Sequence, residues 1–317
     1  MILAAFLSYL GNIFAMAFSA IGVGIGQGLA GEGIVEGLER QPMGGEQSFR
    51  TFIIGLALTE SGAILALVVV LMSLVNLKFP ITFGCGIADL GAGLAIGLTA
   101  GVVGISSSLA VRNACLSISR QPLFGAKITT FMLLMQSIIE APVIFAFIIA
   151  LIIKTHVVHG FLGAEEGVKL FAAGIVMALG CLGPSIGQGI FVSSACKSVG
   201  LNKSAYNKIF PFSMLSAAVI ETPVMFAFLV SFFLIYLEPK SLAIVTMVTA
   251  VSVAIAMGVG AIGTGVSNGY IASKACRVIA DKPQHYTIVL RNSLVSFAIV
   301  ESAAIYSFII ALLILFR

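Results

Sequence analysis

Four glutamates stand apart from the other charged residues of this sequence. Glu60, Glu140, Glu221 and Glu301 each lie in the middle of an apolar stretch, spaced by 80 residues (60 to 140), 81 (140 to 221) and 80 (221 to 301). An ionised carboxylate at bilayer depth costs at least about 2.5 to 3.5 kcal/mol even on a lenient scale. Such a side chain is expected to be neutral where it faces lipid and to ionise only where water or a cation reaches it. That is how an exchangeable ion carrier behaves. A structural carboxyl bonded to a neighbouring helix would explain one such glutamate, but not four at one repeat position. The remaining acids, Glu32, Glu36, Glu39, Glu46, Asp89, Glu165, Glu166, Glu238 and Asp281, sit near the ends of apolar stretches or between them.

The elements that must hold the glutamates follow from composition. The 317 residues are 59% hydrophobic and 9% charged, and mean hydropathy is +1.13, far outside the range of a soluble globular domain. Apolar segments of membrane-crossing length fall at about 4 to 38, 50 to 77, 83 to 118, 125 to 153, 168 to 199, 206 to 236, 242 to 279 and 285 to 316. The first lacks a basic leader and a small-residue cleavage site and resembles the later ones, so it reads as mature structure. The fold class expected is an all-α membrane protein of eight transmembrane helices in four tandem antiparallel hairpins. The units are 1-79, 80-159, 160-239 and 240-317.

Charge orients the hairpins. Twelve of the seventeen Lys and Arg residues cluster around the turns inside the four units, whereas Lys78, Lys154, Lys169, Lys240 and Arg317 lie at the other end. Basic loops stay cytoplasmic, so the turns are expected in the cytoplasm and both chain ends outside. An even number of helices per unit makes all four units point the same way, unlike inverted repeats, and side-by-side packing in an arc or ring follows. The first helices are glycine-rich, as in Gly22, Gly24, Gly26 and Gly28, which suits a closely packed inner layer; the second helices are richer in Ile, Leu, Phe and Val and suit an outer layer. The glycine strings could be mistaken for a dinucleotide turn, but no strand precedes them. Cys85, Cys115, Cys181, Cys196 and Cys276 lie in apolar segments without metal-ligand spacing and read as small packing residues; Cys115, Cys196 and Cys276 share one repeat position.

The turn comes twenty residues before each glutamate: Arg40-Gln41-Pro42, Arg120-Gln121-Pro122, then the diverged Leu201-Asn202-Lys203 and Asp281-Lys282-Pro283. A glycine-rich helix, an Arg-Gln-Pro turn and a mid-membrane glutamate together resemble the rotor-ring c-subunit of F-type ATP synthases, the ATP synthase proteolipid, repeated four times over the whole chain. The stretches Gly26-Gln27-Gly28 to Glu60-Ser61 and Glu301-Ser302-Ala303-Ala304-Ile305-Tyr306 carry the resemblance most closely. Members usually have one hairpin, so four fused is a departure. The resemblance implies an arc of a rotor ring made of copies of the chain, turning in the membrane lipid against the static a-subunit, whose arginine displaces the ion from each glutamate. The turns at Arg40, Gln41, Pro42, Arg120, Gln121 and Pro122 would grip the central stalk. It further implies a non-catalytic component with no cofactor, no nucleic-acid partner and no phosphate loop, in a bacterial inner membrane. A vacuolar or archaeal-type proteolipid is the alternative family; a stand-alone channel or transporter, or a membrane scaffold, are alternatives of other classes.

Sodium-type rings of that family add a first-helix glutamine, a hydroxyl after the glutamate and a nearby tyrosine. Counting from the turn puts Gln27, Ser107, Gln188 and Asn268 at the first position. The residues after the glutamates are Ser61, Ala141, Thr222 and Ser302. Leu65, Phe145, Phe226 and Tyr306 take the tyrosine position. A site spans two hairpins, and the expected pairing sets Gln27 against Ala141 and Ser107 against Thr222, leaving Glu140 with the weakest cage. All four sites can bind a proton, so the proton is the expected cargo, with sodium as the alternative; no other metal is expected. Pro142 and Pro223 are expected to kink their helices, either freeing a carbonyl for the ion or serving packing alone.

Overall fold

The computed structural model describes residues 2–76, 81–159, 161–237 and 243–317, and among them every element is helical. The helices are α1 (Ile2–Arg40), α2 (Gly45–Thr59), α3 (Ser61–Asn76), α4 (Phe83–Arg120), α5 (Gly125–Ile139), α6 (Ala141–His159), α7 (Ala164–Leu201), α8 (Tyr206–Tyr236), α9 (Ala243–Asp281) and α10 (Tyr286–Phe316). They make eight membrane-length spans, because α2 with α3 and α5 with α6 are single spans interrupted for one residue. In hydrocarbon a backbone must satisfy its own hydrogen bonds, which is why apolar runs of this length settle as helix. The protein is an integral membrane protein. Lys78, Glu238 and Lys240, and the loop stretches about 78 and 240, lie outside the described residues.

Each hairpin reverses through a single 3-10 turn: Pro42–Gly44, Pro122–Phe124, Lys203–Ala205 and Pro283–His285. Proline starts three of them, where its missing N–H costs nothing. The residue before the turn is extended, with φ −155° at Gln41 and −143° at Asn202. In the third unit Asn202 takes over locally, its Oδ1 accepting from the backbone N–H of Ser204 at 3.0 Å. Arg40 and Arg120 sit in the last turns of α1 and α4, where a cation complements the helix dipole.

The first helices of the units pack as a row, α1 on α4, α4 on α7 and α7 on α9, and the second helices cover them. Glycine makes that row possible. A Cβ on Gly22 would fall on the backbone of Gly101, and one on Gly187 on the carbonyl of Gly265. Hydrogen bonds between units join matching positions. Asn113 Nδ2 donates to Ser193 Oγ at 2.8 Å, Ser117 Oγ to the Cys196 carbonyl at 3.0 Å, and Ser194 Oγ to the Ser273 carbonyl at 2.9 Å. The units are therefore parallel and in register. The row ends at α1 and α9, and its middle is the core: 72% of the apolar windows of α4 and α7 is buried, against 33% for α1 and 28% for α9. All five cysteines are buried.

One polar cluster breaks the fourfold pattern. Lys154, expected as a charge beyond the membrane end, is 2% exposed because α6 runs on to His159 and turns the side chain inward. Its Nζ pairs with Asp89 at 2.7 Å and donates to Ser73 Oγ at 2.8 Å and Asn12 Oδ1 at 3.4 Å. Asp89, also expected near a helix end, is 1% exposed and accepts from Ser8 as well. The cluster ties α1 and α3 of the first unit to α4 and α6 of the second.

Candidate ion sites

Glu60 and Glu140 occupy the single-residue interruptions of their spans, at φ −72° and −78°, whereas α8 and α10 run unbroken through Glu221 and Glu301. Proline does not decide this. The first unit is interrupted with Gly62 at the position of Pro142, and Pro223 lies within a continuous helix. The Pro142 carbonyl faces the Cys181 thiol, which donates to it at 3.9 Å.

The surroundings of the glutamates draw on two sources, and the four units use them unequally. The first helix of the same unit supplies a donor in the first site, where Gln27 Nε2 donates to Glu60 Oε1 at 2.7 Å, and Ser107 stands beside Glu140 in the second. The preceding unit supplies the residue after its own glutamate. Ser61 Oγ donates to Glu140 Oε2 at 3.1 Å, and Thr222, whose hydroxyl donates to the Ala218 carbonyl at 3.4 Å, stands beside Glu301. The pairing expected from sequence, Gln27 with Ala141 and Ser107 with Thr222, is corrected: the arc runs in the other direction. Ala141 consequently stands by repeat position with Glu221, and that site, rather than the one at Glu140, lacks a hydroxyl across the unit boundary.

Gln188 and Asn268 are fully buried, with both amide atoms unpartnered. Ser302 and Tyr306 are at the open end of the arc, Tyr306 65% exposed. Its repeat counterparts reach across a unit boundary: Phe145 packs against Phe228 with ring centroids 5.2 Å apart, and Phe226 stacks on Phe308 at 4.7 Å. Glu60, at the opposite end, is exposed and has no preceding unit in its own chain.

Around Glu140 the structure adds a residue that the sequence pattern passed over. Gln136, one helical turn earlier, is fully buried. Its Nε2 donates to Ser107 Oγ at 2.7 Å, the Gly55 carbonyl at 2.7 Å and Thr59 Oγ1 at 3.2 Å. The signal was an amide in an apolar span where the other units carry Leu56, Ala217 and Phe297.

At the turns, Arg40 and Arg120 are exposed, and Gln121 is half-buried because its Nε2 donates to the Gly200 carbonyl of the next unit at 2.8 Å. Asn202 repeats that bond to the Ala280 carbonyl at 2.8 Å. Leu123 and Met43, 105% and 84% exposed, project from the first two turns.

Comparison with known proteins agrees with this repeat. A family profile, that of the ATP synthase C-subunit, matches four times, over residues 10–73, 90–153, 171–234 and 251–314. The chain belongs to the ATP synthase C-subunit family. Its relatives are each about one unit long. The ATP synthase c-subunit 2 of Pelobacter propionicus is 48% identical over 65 residues, which is 20% of this chain and 71% of that protein. The ATP synthase c-subunit of Geotalea uraniireducens is 41% identical over 70 residues, 22% of this chain and 77% of the relative. That of Dehalococcoides mccartyi is 41% identical over 69 residues, 22% and 91%. The chain is a c-subunit of four fused hairpins.

Proposed function

We propose that the chain is an ion-carrying rotor-ring component of an F-type ATP synthase, each of Glu60, Glu140, Glu221 and Glu301 loading one ion per turn. The observation that carries this is a glutamate at the same mid-span position in all four units, with Gln27 of the same unit donating to Glu60 and Ser61 of the preceding unit donating to Glu140. A glutamate held against donors and surrounded by apolar helix exchanges its ion only where a static partner brings water and a counter-charge. The static partner is the a-subunit, and the exposed turns dock the central stalk. The family supports a bacterial inner membrane, and the basic turns support a cytoplasmic location for them. The chain itself catalyses no reaction; each unit charge crossing the membrane releases about 2.3 kcal/mol per 100 mV, which the ring delivers as torque.

The ring closes through copies of this chain. Gly24 and Gly263 meet nothing within 4 Å, yet their repeat counterparts Gly104 and Gly183 lie against Val23 and Ile262 of the neighbouring unit. Both open faces thus have the geometry of the interfaces inside the arc, and Ser302 and Tyr306 of one copy complete the site of Glu60 in the next.

The cargo proposed is the proton, because a carboxyl binds it whatever its neighbours and the site at Glu221 meets Ala141 rather than a hydroxyl. Sodium is the second reading, favoured by the amide and hydroxyl oxygens around Glu60, Glu140 and Glu301. The purified synthase in proteoliposomes decides between them. The proposal expects ATP synthesis driven by a pH gradient without sodium and abolished by Glu221→Gln. Synthesis that requires a sodium gradient would reverse the cargo, and synthesis unaffected by the substitution would overturn the carrier role.

A further inference from the structure

The second unit is the one whose first helix offers the shortest side chain to its glutamate: Ser107, where the others carry Gln27, Gln188 and Asn268. The same unit is the one with an amide a turn before the glutamate, Gln136, where the others carry Leu56, Ala217 and Phe297. The two departures meet in space, since Gln136 Nε2 lies 2.7 Å from Ser107 Oγ. We propose that Gln136 is a positioning residue of the Glu140 ion site, supplying from the second helix the amide that the first helix of this unit lacks. The inference rests on the reading of Glu140 as an ion carrier.

Ser107 accepts a hydrogen bond from the Gln136 amide and stands beside Glu140. Ser107 Oγ also lies 3.4 Å from Thr59 Oγ1, which donates to the Gly55 carbonyl, so one amide and two hydroxyls form a single network against the carboxylate, and hydrogen bonds in such a network strengthen one another. Gln136 also holds Thr59 Oγ1 and the Gly55 carbonyl of the first unit, the unit that sends Ser61 to Glu140. It therefore fixes the first unit's second helix, which brings Ser61 to the carboxylate, against the helices of the second unit. Within the cluster, Gln136 Oε1 and Glu140 Oε1 are the two oxygens that are buried without a partner, so the amide retains an acceptor beyond the bonds it donates.

The test is peptide-resolved carbodiimide labelling of the assembled ring at one pH, since the reagent attacks the protonated carboxyl. Gln136→Leu puts in the second unit the residue the first unit has in Leu56. With the network that holds Ser61 against the carboxylate opened, Glu140 is expected to label about fivefold faster, the worth of one hydrogen bond, while Glu60, Glu221 and Glu301 keep their rates. Ser107→Gln combined with Gln136→Leu recreates the Gln27 and Leu56 pair and returns Glu140 to about its original rate. If Gln136→Leu fails to assemble, Ser107→Ala removes the hydroxyl that joins Gln136 to Thr59 and is expected to give the same acceleration. An unchanged Glu140 rate, an equal change at all four glutamates, or no recovery in the double variant overturns the inference and leaves the carrier reading standing. Absence of labelling at Glu140 in the unaltered ring overturns both.

Discussion

At the scale of single residues, the unlike neighbours of four like glutamates make the sites distinguishable. Ala141→Ser places a hydroxyl where Ser61 stands in the preceding unit, and it is expected to slow carbodiimide labelling at Glu221 about fivefold, as one added hydrogen bond would, without changing Glu60. The buried pair of Lys154 and Asp89 predicts a different asymmetry. Lys154→Met leaves a carboxylate buried at 1% exposure and should cost about 3 to 5 kcal/mol, whereas replacing both partners with apolar residues should be close to neutral. Thermal unfolding of the detergent-solubilised chain measures both. The glutamates were legible from sequence because an acid in mid-span has no ordinary explanation. The direction of pairing between units was not, since a tandem repeat says which positions correspond but not on which side the next unit lies. Lys154 was misjudged for a simpler reason: hydropathy ended the span near 153, while the helix carries on to His159.

At the scale of helices, the glycine pattern divides into faces with different duties. Gly22 is filled by the backbone of Gly101 within the chain, whereas Gly24, two residues on, meets nothing. Gly22→Leu should therefore destabilise the folded chain by at least about 1 to 3 kcal/mol through overpacking. Gly24→Leu should leave the chain's unfolding unchanged and block its assembly into a ring, as read by thermal unfolding and native electrophoresis. The inner and outer layers were readable from small against branched residues, because close helix approach in lipid needs small side chains. The interruptions at Glu60 and Glu140 were not readable. Proline was the visible cue and proved a poor one, since Gly62 accompanies an interruption and Pro223 does not.

At the scale of the whole molecule, the row of units has two open ends that the proposed ring joins, and a heterologous contact of this kind closes into a ring when the rotation allows. Gly183 touches Ile262, so in the proposed ring the repeat sets Gly263 of one copy against Ile21 of the next, a residue 58% exposed in the single chain. A chain carrying Ile21→Cys and Gly263→Cys should cross-link between copies into a ladder of chain multiples, with the unaltered protein and its buried cysteines as control. A ring of this chain alone has a site count that is a multiple of four. The central claim, that each of the four glutamates is an exchangeable ion carrier, meets its most direct test in carbodiimide labelling of the native ring followed by mass mapping of the four peptides. The account predicts modification at Glu60, Glu140, Glu221 and Glu301, each at its own rate. A ring in which none of the four is modified would contradict it.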